Sequence, residues 1–239
     1  MTDLLEIRGL TKRFDGRLVL GPLYFAVEAG ETVAVLGPGG SGKSTFLRLI
    51  AGLEPADAGT VTLCGQPIRP QEVAILGQGR PAPWLSVADD AGPGAAATKL
   101  PSPPSGGAAE RAVLARALTR ALAARPQLLL LDEPFNAAAP LNRTGLQNHL
   151  AEVREHSRPT ILLVPHDIDE ALLLADRIIV LDGPPGRIVA EFAPRLPAGI
   201  KRSAPAFRRW KDRLIGVLGP AEALPRVAIT KFEEHRHAV

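Results

Sequence analysis

The most informative stretch of the sequence lies between residues 37 and 45 and reads Gly37-Pro38-Gly39-Gly40-Ser41-Gly42-Lys43-Ser44-Thr45. Residues 31–36 before it (ETVAVL) are typical of a buried β-strand. Residues 46–52 after it (FLRLIAG) predict a helix that ends at a glycine. The predicted order is therefore a strand, a glycine-rich loop and a helix, with Lys-Ser at the junction of loop and helix.

This order is the layout of a phosphate-binding P-loop. Glycines let successive backbone N–H groups point at phosphate oxygens, and the positive end of the helix faces the same anion. Lys43 can then reach the β- and γ-phosphates, and the Ser44 hydroxyl can bind Mg²⁺. A glycine-rich turn that merely joins strand to helix is the alternative, but the complete spacing and both flanks favour phosphate binding.

Length, charge and cysteine count limit the class of protein. The 239 residues suffice for one large α/β domain, or for one domain with a small appended lobe. The 28 Lys and Arg against 25 Asp and Glu leave a charge of +3, which is too small to indicate nucleic-acid binding. Cys64 is the single cysteine, which excludes an internal disulfide and fits a reducing compartment. With no apolar signal core and no apolar run near the ~18 residues that span a bilayer, we expect a soluble protein whose membrane role needs a partner.

Strand and helix patterns alternate along the chain. Residues 4–8 predict a first strand, and residues 17–29 predict a strand pair around Gly21-Pro22. Later strands are predicted at 60–64, 73–76, 127–131, 160–164, 177–181 and 187–192, and helices at 144–156, 168–175 and 205–218. This alternation indicates an α/β fold with a mostly parallel sheet that is covered on both faces.

Three further positions carry candidate chemistry. Phe14, ahead of the glycine-rich loop, can stack on a nucleotide base or pack into the edge of the sheet, and the residues leave both interpretations open. Asp132 and Glu133 follow an apolar strand, so Asp132 can hold Mg²⁺ through water and Glu133 can deprotonate an attacking water. The alternative is a strand that simply ends in acidic residues. We favour the functional interpretation because a P-loop occurs earlier in the chain.

His166 follows another apolar strand, where a neutral imidazole can hydrogen-bond a γ-phosphate. The acidic residues that follow it, at 167, 169 and 170, suggest a metal cluster as the alternative. Only some of these side chains can face one point, and a phosphate site is already predicted. We therefore favour the phosphate contact.

Taken together, these motifs resemble those of the ATP-binding subunits of ABC transporters. The resemblance covers about residues 4–192 and is carried by Gly37–Thr45, Gln78, Ser105-Gly106-Gly107 with residues 111–118, Leu128–Pro134 and His166. Residues 83–87 (PWLSV), 166–177 (HDIDEALLLADR) and 185–189 (PGRIV) are similar to the nitrate, sulfonate and taurine importer group.

The resemblance implies a P-loop NTPase core with a mostly parallel sheet, an N-terminal antiparallel β subdomain and a shortened helical lobe. It places an ATP-binding domain at residues 1–192, the lobe at about 79–125, and a basic extension at 193–239. It also implies an ATPase that powers import of a small oxyanion or organosulfonate, with ATP and Mg²⁺ bound.

The resemblance assigns a role to each matching residue. Phe14 stacks on adenine, Lys43, Ser44 and Thr45 bind phosphates and Mg²⁺, and Gln78 contacts the metal or water. Asp132 completes the metal site, Glu133 is the catalytic base, and His166 senses the γ-phosphate. Ser105, Gly106 and Gly107 form the signature motif, which closes over the ATP of a second copy in a head-to-tail homodimer.

The implied partners are integral membrane permease subunits and a periplasmic substrate-binding protein, with no nucleic acid. The implied location is the cytoplasmic face of the inner membrane, where the chain would attach peripherally through the permease.

Several elements depart from the family pattern. The signature reads Pro104-Ser105-Gly106-Gly107-Ala108, Ala139 stands where an aspartate is usual, and only 26 residues separate Gln78 from Ser105. Pro165 also replaces the usual threonine before His166. These departures leave an alternative function open, a degenerate nucleotide-binding regulatory module with weak or no hydrolysis. The basic stretch after residue 193 is either a solvated face or a contact for a membrane-side partner or lipid headgroups.

Overall fold

The computed structural model of the chain describes residues 3–77, 126–136, 140–197 and 199–219, apart from the side chains of residues 70 and 140–142. Its strands are β1 (Asp3–Phe14), β2 (Arg17–Glu28), β3 (Thr32–Leu36), β4 (Ala58–Leu63), β5 (Gln66–Pro67), β6 (Val73–Gly77), β7 (Leu128–Asp132), β8 (Thr160–Val164), β9 (Arg177–Asp182) and β10 (Arg187–Phe192). Its helices are α1 (Lys43–Ile50), α2 (Pro140–Ser157), α3 (Ile168–Leu174) and α4 (Pro205–Leu218), with a 3₁₀ turn at Pro70–Glu72. Within these ranges no helix has both the length and the apolar character to cross a membrane.

The first sheet is antiparallel, with the strand order β2-β1-β4-β5. Strand β1 runs to Phe14, well beyond the predicted first strand at residues 4–8. Asp15 and Gly16 both have positive φ angles, 49° and 76°, which is the backbone of a two-residue hairpin turn into β2. This sheet is the N-terminal antiparallel β unit that the sequence led us to expect.

The predicted strand pair around Gly21-Pro22 is wrong, because Arg17–Glu28 is one continuous strand. The Gly21 N–H donates to the Gly186 carbonyl at 2.9 Å, outside the first sheet. Shifts in the β1–β2 register on both sides of Leu10 absorb the irregularity. The Gly-Pro pair therefore bends the strand and does not reverse it.

The second sheet has the strand order β10-β9-β3-β8-β7-β6. Every neighbouring pair is parallel except β10 and β9, which are antiparallel. The predicted mostly parallel sheet is therefore confirmed. Its central strands β3, β8 and β7 end next to one another, at the edge where the predicted site residues follow.

Both faces of the second sheet are covered. Leu128 and Leu130 of β7 pack with the first sheet and α1, whereas Leu129 and Leu131 pack with α2. All four side chains are fully buried. This two-sided burial explains why the strand is a continuous apolar run without alternation.

Helix α4 packs on the second sheet through Phe207 and Leu214, which join the core formed by β3, β9, β10 and α3. The Lys211 ammonium lies 2.6 Å from the Asp169 carboxylate. The Arg213 guanidinium lies about 5 Å from the ring centroids of both Phe192 and Trp210. Part of the basic charge after residue 193 is therefore satisfied within the chain, and contact with another partner stays a prediction.

Candidate functional site

Three loops meet at one edge of the second sheet. Strand β3 leads into the glycine-rich loop, β7 ends at Asp132, and β8 ends two residues before His166. The Glu133 N–H donates to the Val164 carbonyl at 2.8 Å, which holds the ends of β7 and β8 together. Residues that lie far apart in sequence are thus neighbours at the carboxyl ends of parallel strands, where α/β proteins bind ligands.

The glycine-rich loop is shaped by close backbone contacts. Gly37 has φ 154°, and a Cβ there would collide with the Leu181 carbonyl and crowd Ser41 Oγ. Gly42, the N-cap of α1, has φ 93° and no side chain with which to cap the helix. The N-cap residue therefore leaves the first N–H groups of α1 available for an anion.

Lys43 lies folded back on this loop. Its ammonium donates to the carbonyls of Gly37 at 2.8 Å and Pro38 at 2.9 Å. Burial lowers the pKa of Lys43, and the nearby charges of Glu133 and Asp132 partly oppose this. A partly desolvated ammonium held by loop carbonyls is suited to transfer its hydrogen bonds to phosphate oxygens.

Ser44 and Asp132 join the two main motifs. The Ser44 hydroxyl donates to Asp132 Oδ1 at 3.2 Å across 88 positions of sequence. Burial raises the pKa of Asp132, the Ser44 hydrogen bond opposes the rise, and the charge of Glu133 adds to it. The charges of Arg48 and Lys43 also oppose the rise, but burial outweighs them, so the ionised carboxylate is disfavoured in the folded chain.

This pair fits a magnesium ion. A hydroxyl and a carboxylate are the hard oxygen donors that Mg²⁺ prefers, and a divalent cation would stabilise the ionised carboxylate that burial disfavours. In the described ranges no group of three or more His, Cys, Asp and Glu side chains could hold a metal on its own. Mg²⁺ usually binds through one or two carboxylates plus water and phosphate, so a pair of protein donors is sufficient.

Glu133 leaves the strand in a left-handed conformation, with φ 47°. Its Oε2 accepts a hydrogen bond from Asn136 Nδ2 at 3.0 Å. Its charge acts on both Lys43 and Asp132. The carboxylate thus lies near Lys43 and near the pair of Ser44 and Asp132.

The acidic residues after His166 point in different directions. Asp167 caps α3 by accepting the Glu170 N–H at 2.8 Å, Asp169 pairs with Lys211, and Glu170 is fully buried. Asp167 is the N-cap of this helix. These partners explain why the acids form no metal cluster. The His166 ring stays 43% exposed at the sheet edge, with Nδ1 3.9 Å from Asp167.

Phe14 lies at the end of β1, on the first sheet. Phe14 is 41% exposed, so a large part of it is open to solvent, and its stacking on a base stays a prediction. The predicted residues Gln78, Ser105, Gly106 and Gly107 lie outside the described residues, as do Ala139 and the lobe at 79–125. Their roles stay predictions.

Sequence reasoning missed that two charged residues, Lys12 and Glu170, are buried, at 6% and 0% exposed. Lys12 alternates with apolar residues along β1, on the face that also carries Leu10. Glu170 lies one helical turn before Leu174 on the buried face of α3. In both cases a charged residue at a core-facing position was the available signal.

Two solved structures from ABC transporters share this architecture. CbiO1 from Clostridium perfringens, described as part of the ABC transporter complex CbiONQ, superposes with a TM-score of 0.62 at 20% identity, over 91% of this chain and 96% of that one. A nucleotide-free ATP-binding cassette from an ABC transporter gives 0.60 at 22% identity, over 80% and 92%. At these identities the likeness establishes the fold alone.

Sequence relatives are more similar. The chain is 38% identical over 248 residues to the aliphatic sulfonates import ATP-binding protein SsuB 2 of Burkholderia cenocepacia, which covers 89% of this chain and 90% of the relative. It is also 38% identical to SsuB 1 of Pseudomonas fluorescens, over 95% and 91%. The family model for the ABC transporter matches residues 20–90. The chain therefore belongs to the ATP-binding proteins of the ABC transporter family.

Proposed function

We propose that this chain is the ATP-hydrolysing subunit of an ABC importer for a small oxyanion or organosulfonate. The observation that carries the proposal is the 3.2 Å hydrogen bond from Ser44 to Asp132, because it joins the P-loop to the acidic strand end. The relatives named for import of aliphatic sulfonates support the transport direction and the substrate class. The reaction would be hydrolysis of ATP to ADP and phosphate.

Residues 37–45 would hold the phosphates through their backbone N–H groups, except at Pro38, which has none, and through the Lys43 ammonium, and Phe14 would stack on adenine. Ser44, Asp132 and Gln78 would hold Mg²⁺. When bound, Mg²⁺ neutralises charge that develops on the phosphate oxygens. Lys43 would exchange the carbonyls of Gly37 and Pro38 for β- and γ-phosphate oxygens.

Glu133 would act as the general base. Its carboxylate would take a proton from the attacking water as that water's oxygen bonds to the γ-phosphorus and the bond to the β-phosphate oxygen breaks. His166 would donate a hydrogen bond to the γ-phosphate. Asn136, which donates to Glu133 Oε2 at 3.0 Å, would hold this carboxylate in place.

Glu133→Gln tests the catalytic assignment. We expect ATP turnover to fall by about 10²–10⁴-fold because the amide cannot accept the proton, while ATP binding persists. The control is Glu155→Gln, the same chemical change on the exposed face of α2, which should leave turnover unchanged. Equal turnover of the Glu133→Gln variant and the unmodified chain would exclude Glu133 as the base.

The complete site would need a second copy of the chain, with Ser105, Gly106 and Gly107 closing over the ATP of its neighbour. We expect the Glu133→Gln variant to sediment as a dimer with ATP and Mg²⁺, and as a monomer when Ser105→Arg is added. A monomer at saturating ATP would contradict this arrangement.

The dimer would act at the cytoplasmic face of the inner membrane, with permease subunits and a periplasmic binding protein. The degenerate regulatory module, the alternative from sequence, has no support among the reported relatives, which are named as import proteins. Co-purification of the chain with a permease in membranes, and its release when the permease is deleted, would test this location.

A further inference from the structure

We propose that Lys12 is a positioning residue that orients the Phe14 ring for the nucleotide base, an inference that rests on the proposed ATP binding. The Lys12 ammonium lies 4.9 Å from the centroid of the Phe14 ring. The two residues are two positions apart in β1, so their side chains leave the same face of the strand.

Lys12 is a charged residue on the apolar face of β1. Leu5, Ile7 and Leu10 on this face are fully buried, and Lys12 itself is only 6% exposed. A buried ammonium needs polar partners, and it donates to the Pro55 carbonyl at 2.8 Å with the Glu54 carboxylate 3.7 Å away. The cation therefore has a fixed position under the ring.

The segment that holds Lys12 is itself tied to the P-loop helix. The N–H groups of Leu53 and Glu54 both donate to the Arg48 carbonyl in α1, at 2.9 and 3.3 Å. Lys12 thus connects the ring to the helix whose first turn faces the predicted phosphates. The distance between the base contact and the phosphate contacts is set through this connection.

A second tie holds the end of β1 independently of Lys12. The Asp57 carboxylate accepts the Arg13 N–H at 2.6 Å, and the Asp57 N–H donates to the Thr11 carbonyl at 2.9 Å. Because these bonds fix the backbone, the charge of Lys12 is left to act mainly on the ring.

Phe14 gains a defined orientation from this cation. Phe14 is 41% exposed, so its side chain has room to change rotamer. It is also the last residue of β1, just before the hairpin turn. Attraction between the ammonium and the ring face favours one orientation. A base that stacks on an already ordered ring loses less free energy to ordering, so its affinity is higher.

Lys12→Met tests the proposal, because it removes the charge and keeps the length and apolar bulk of the side chain. Titration calorimetry of the full chain would measure the affinity for ATP and for tripolyphosphate, which has no base. We expect ATP to bind about threefold to tenfold more weakly and tripolyphosphate equally well. The KM for ATP should rise while kcat stays unchanged, and Lys12→Arg should restore ATP binding.

Arg8 is an exposed basic residue of the same strand, so Arg8→Met is the matched control. This variant should bind ATP like the unmodified chain. A double-mutant cycle completes the test. In a Phe14→Ala background, Lys12→Met should cause no further loss of ATP affinity, because Lys12 acts through the ring.

An equal loss for ATP and tripolyphosphate, an unchanged ATP affinity, or the same loss in the Phe14→Ala background would overturn the proposal. Should Lys12→Met fail to fold, Lys12→Gln takes its place in the cycle with the same criteria. If the unmodified chain hydrolyses ATP and the cycle shows no coupling, only the role of Lys12 falls. If the unmodified chain does not bind ATP, the proposed function falls with it.

Discussion

Glu170 is a fully buried carboxylic acid beside the loop that carries His166. Burial raises the pKa of Glu170 to about 7, and the charge of Asp167 adds to the rise. A hydrogen bond from the His166 backbone, another from Gln147 and the charge of Arg143 oppose it. The ionised form is therefore disfavoured in the folded chain, and its cost should appear as a pH dependence of stability.

The direction follows from proton binding. Between the unfolded pKa of 4.5 and the folded pKa of about 7, the folded chain binds more protons, so this group lowers stability as pH rises through that window. Glu170→Gln keeps the neutral shape and cannot ionise. The free energy of unfolding of Glu170→Gln, minus that of the unmodified chain, should therefore be about 2 kcal/mol larger at pH 8 than at pH 5.

Urea unfolding of both chains at the two pH values measures this difference. Glu155→Gln on the exposed face of α2 is the control and should show no such dependence. A Glu170→Gln effect that is the same at pH 5 and pH 8 would mean that the carboxyl does not titrate between them.

At the scale of single elements, the glycine-rich loop was predictable from sequence. The spacing of its glycines, lysine and serine is determined by the local backbone geometry between a strand and a helix. Strand β3, the loop and α1 match their predicted order, and Gly52 after the helix has φ 69°. Strands β7 and β8 were predicted to within a residue or so because burial on both faces requires a continuous apolar run.

Where partners distant in sequence control an element, local patterns failed. Gly21-Pro22 has the composition of a turn, but contacts with Gly186 and with β1 keep β2 continuous. For the acids after His166, by contrast, the sequence argument that only some of them can face one point agrees with their partners, because a helix turns each residue about 100° from the last. A turn or a cluster in sequence is only a hypothesis until the distant contacts are known.

Gly37→Ala tests the packing of the loop. Its Cβ would run into the Leu181 carbonyl of the neighbouring strand, a backbone group that cannot move aside. We expect a loss of stability of at least ~2 kcal/mol and a lower melting temperature without nucleotide. Gly39→Ala is the control, because nothing lies within 4 Å of its added Cβ and it should melt within a degree or two of the unmodified chain. Equal melting of the two variants would show that the loop is not held against β9.

At the scale of the whole molecule, the sheet rule that places motifs at the carboxyl ends of parallel strands correctly brought Ser44 and Asp132 together. The same rule does not predict the burial of Lys12. Its partners Pro55 and Glu54 lie in an irregular segment, and no sequence pattern indicates that contact. The sheet rule also gave no partner for α4. The amphipathic pattern predicted a helix at residues 205–218, but its packing against β3, β9 and β10 depends on the tertiary fold.

The packing of α4 bears on the predicted boundary at residue 192, between the ATP-binding domain and the basic extension. Phe207 is 1% exposed and shares a core with Ala34 and Leu36 of β3, the strand that leads into the P-loop. Phe207→Ala should therefore lower the free energy of unfolding by about 3–5 kcal/mol, and thermal unfolding should stay a single transition at lower temperature. Ile215→Ala on the same helix is 49% exposed and should change it by less than about 0.5 kcal/mol. If the residues after 192 were a separate unit, Phe207→Ala would leave the main unfolding transition unchanged and at most remove a minor one. The melting curve therefore shows whether α4 unfolds together with the ATP-binding domain.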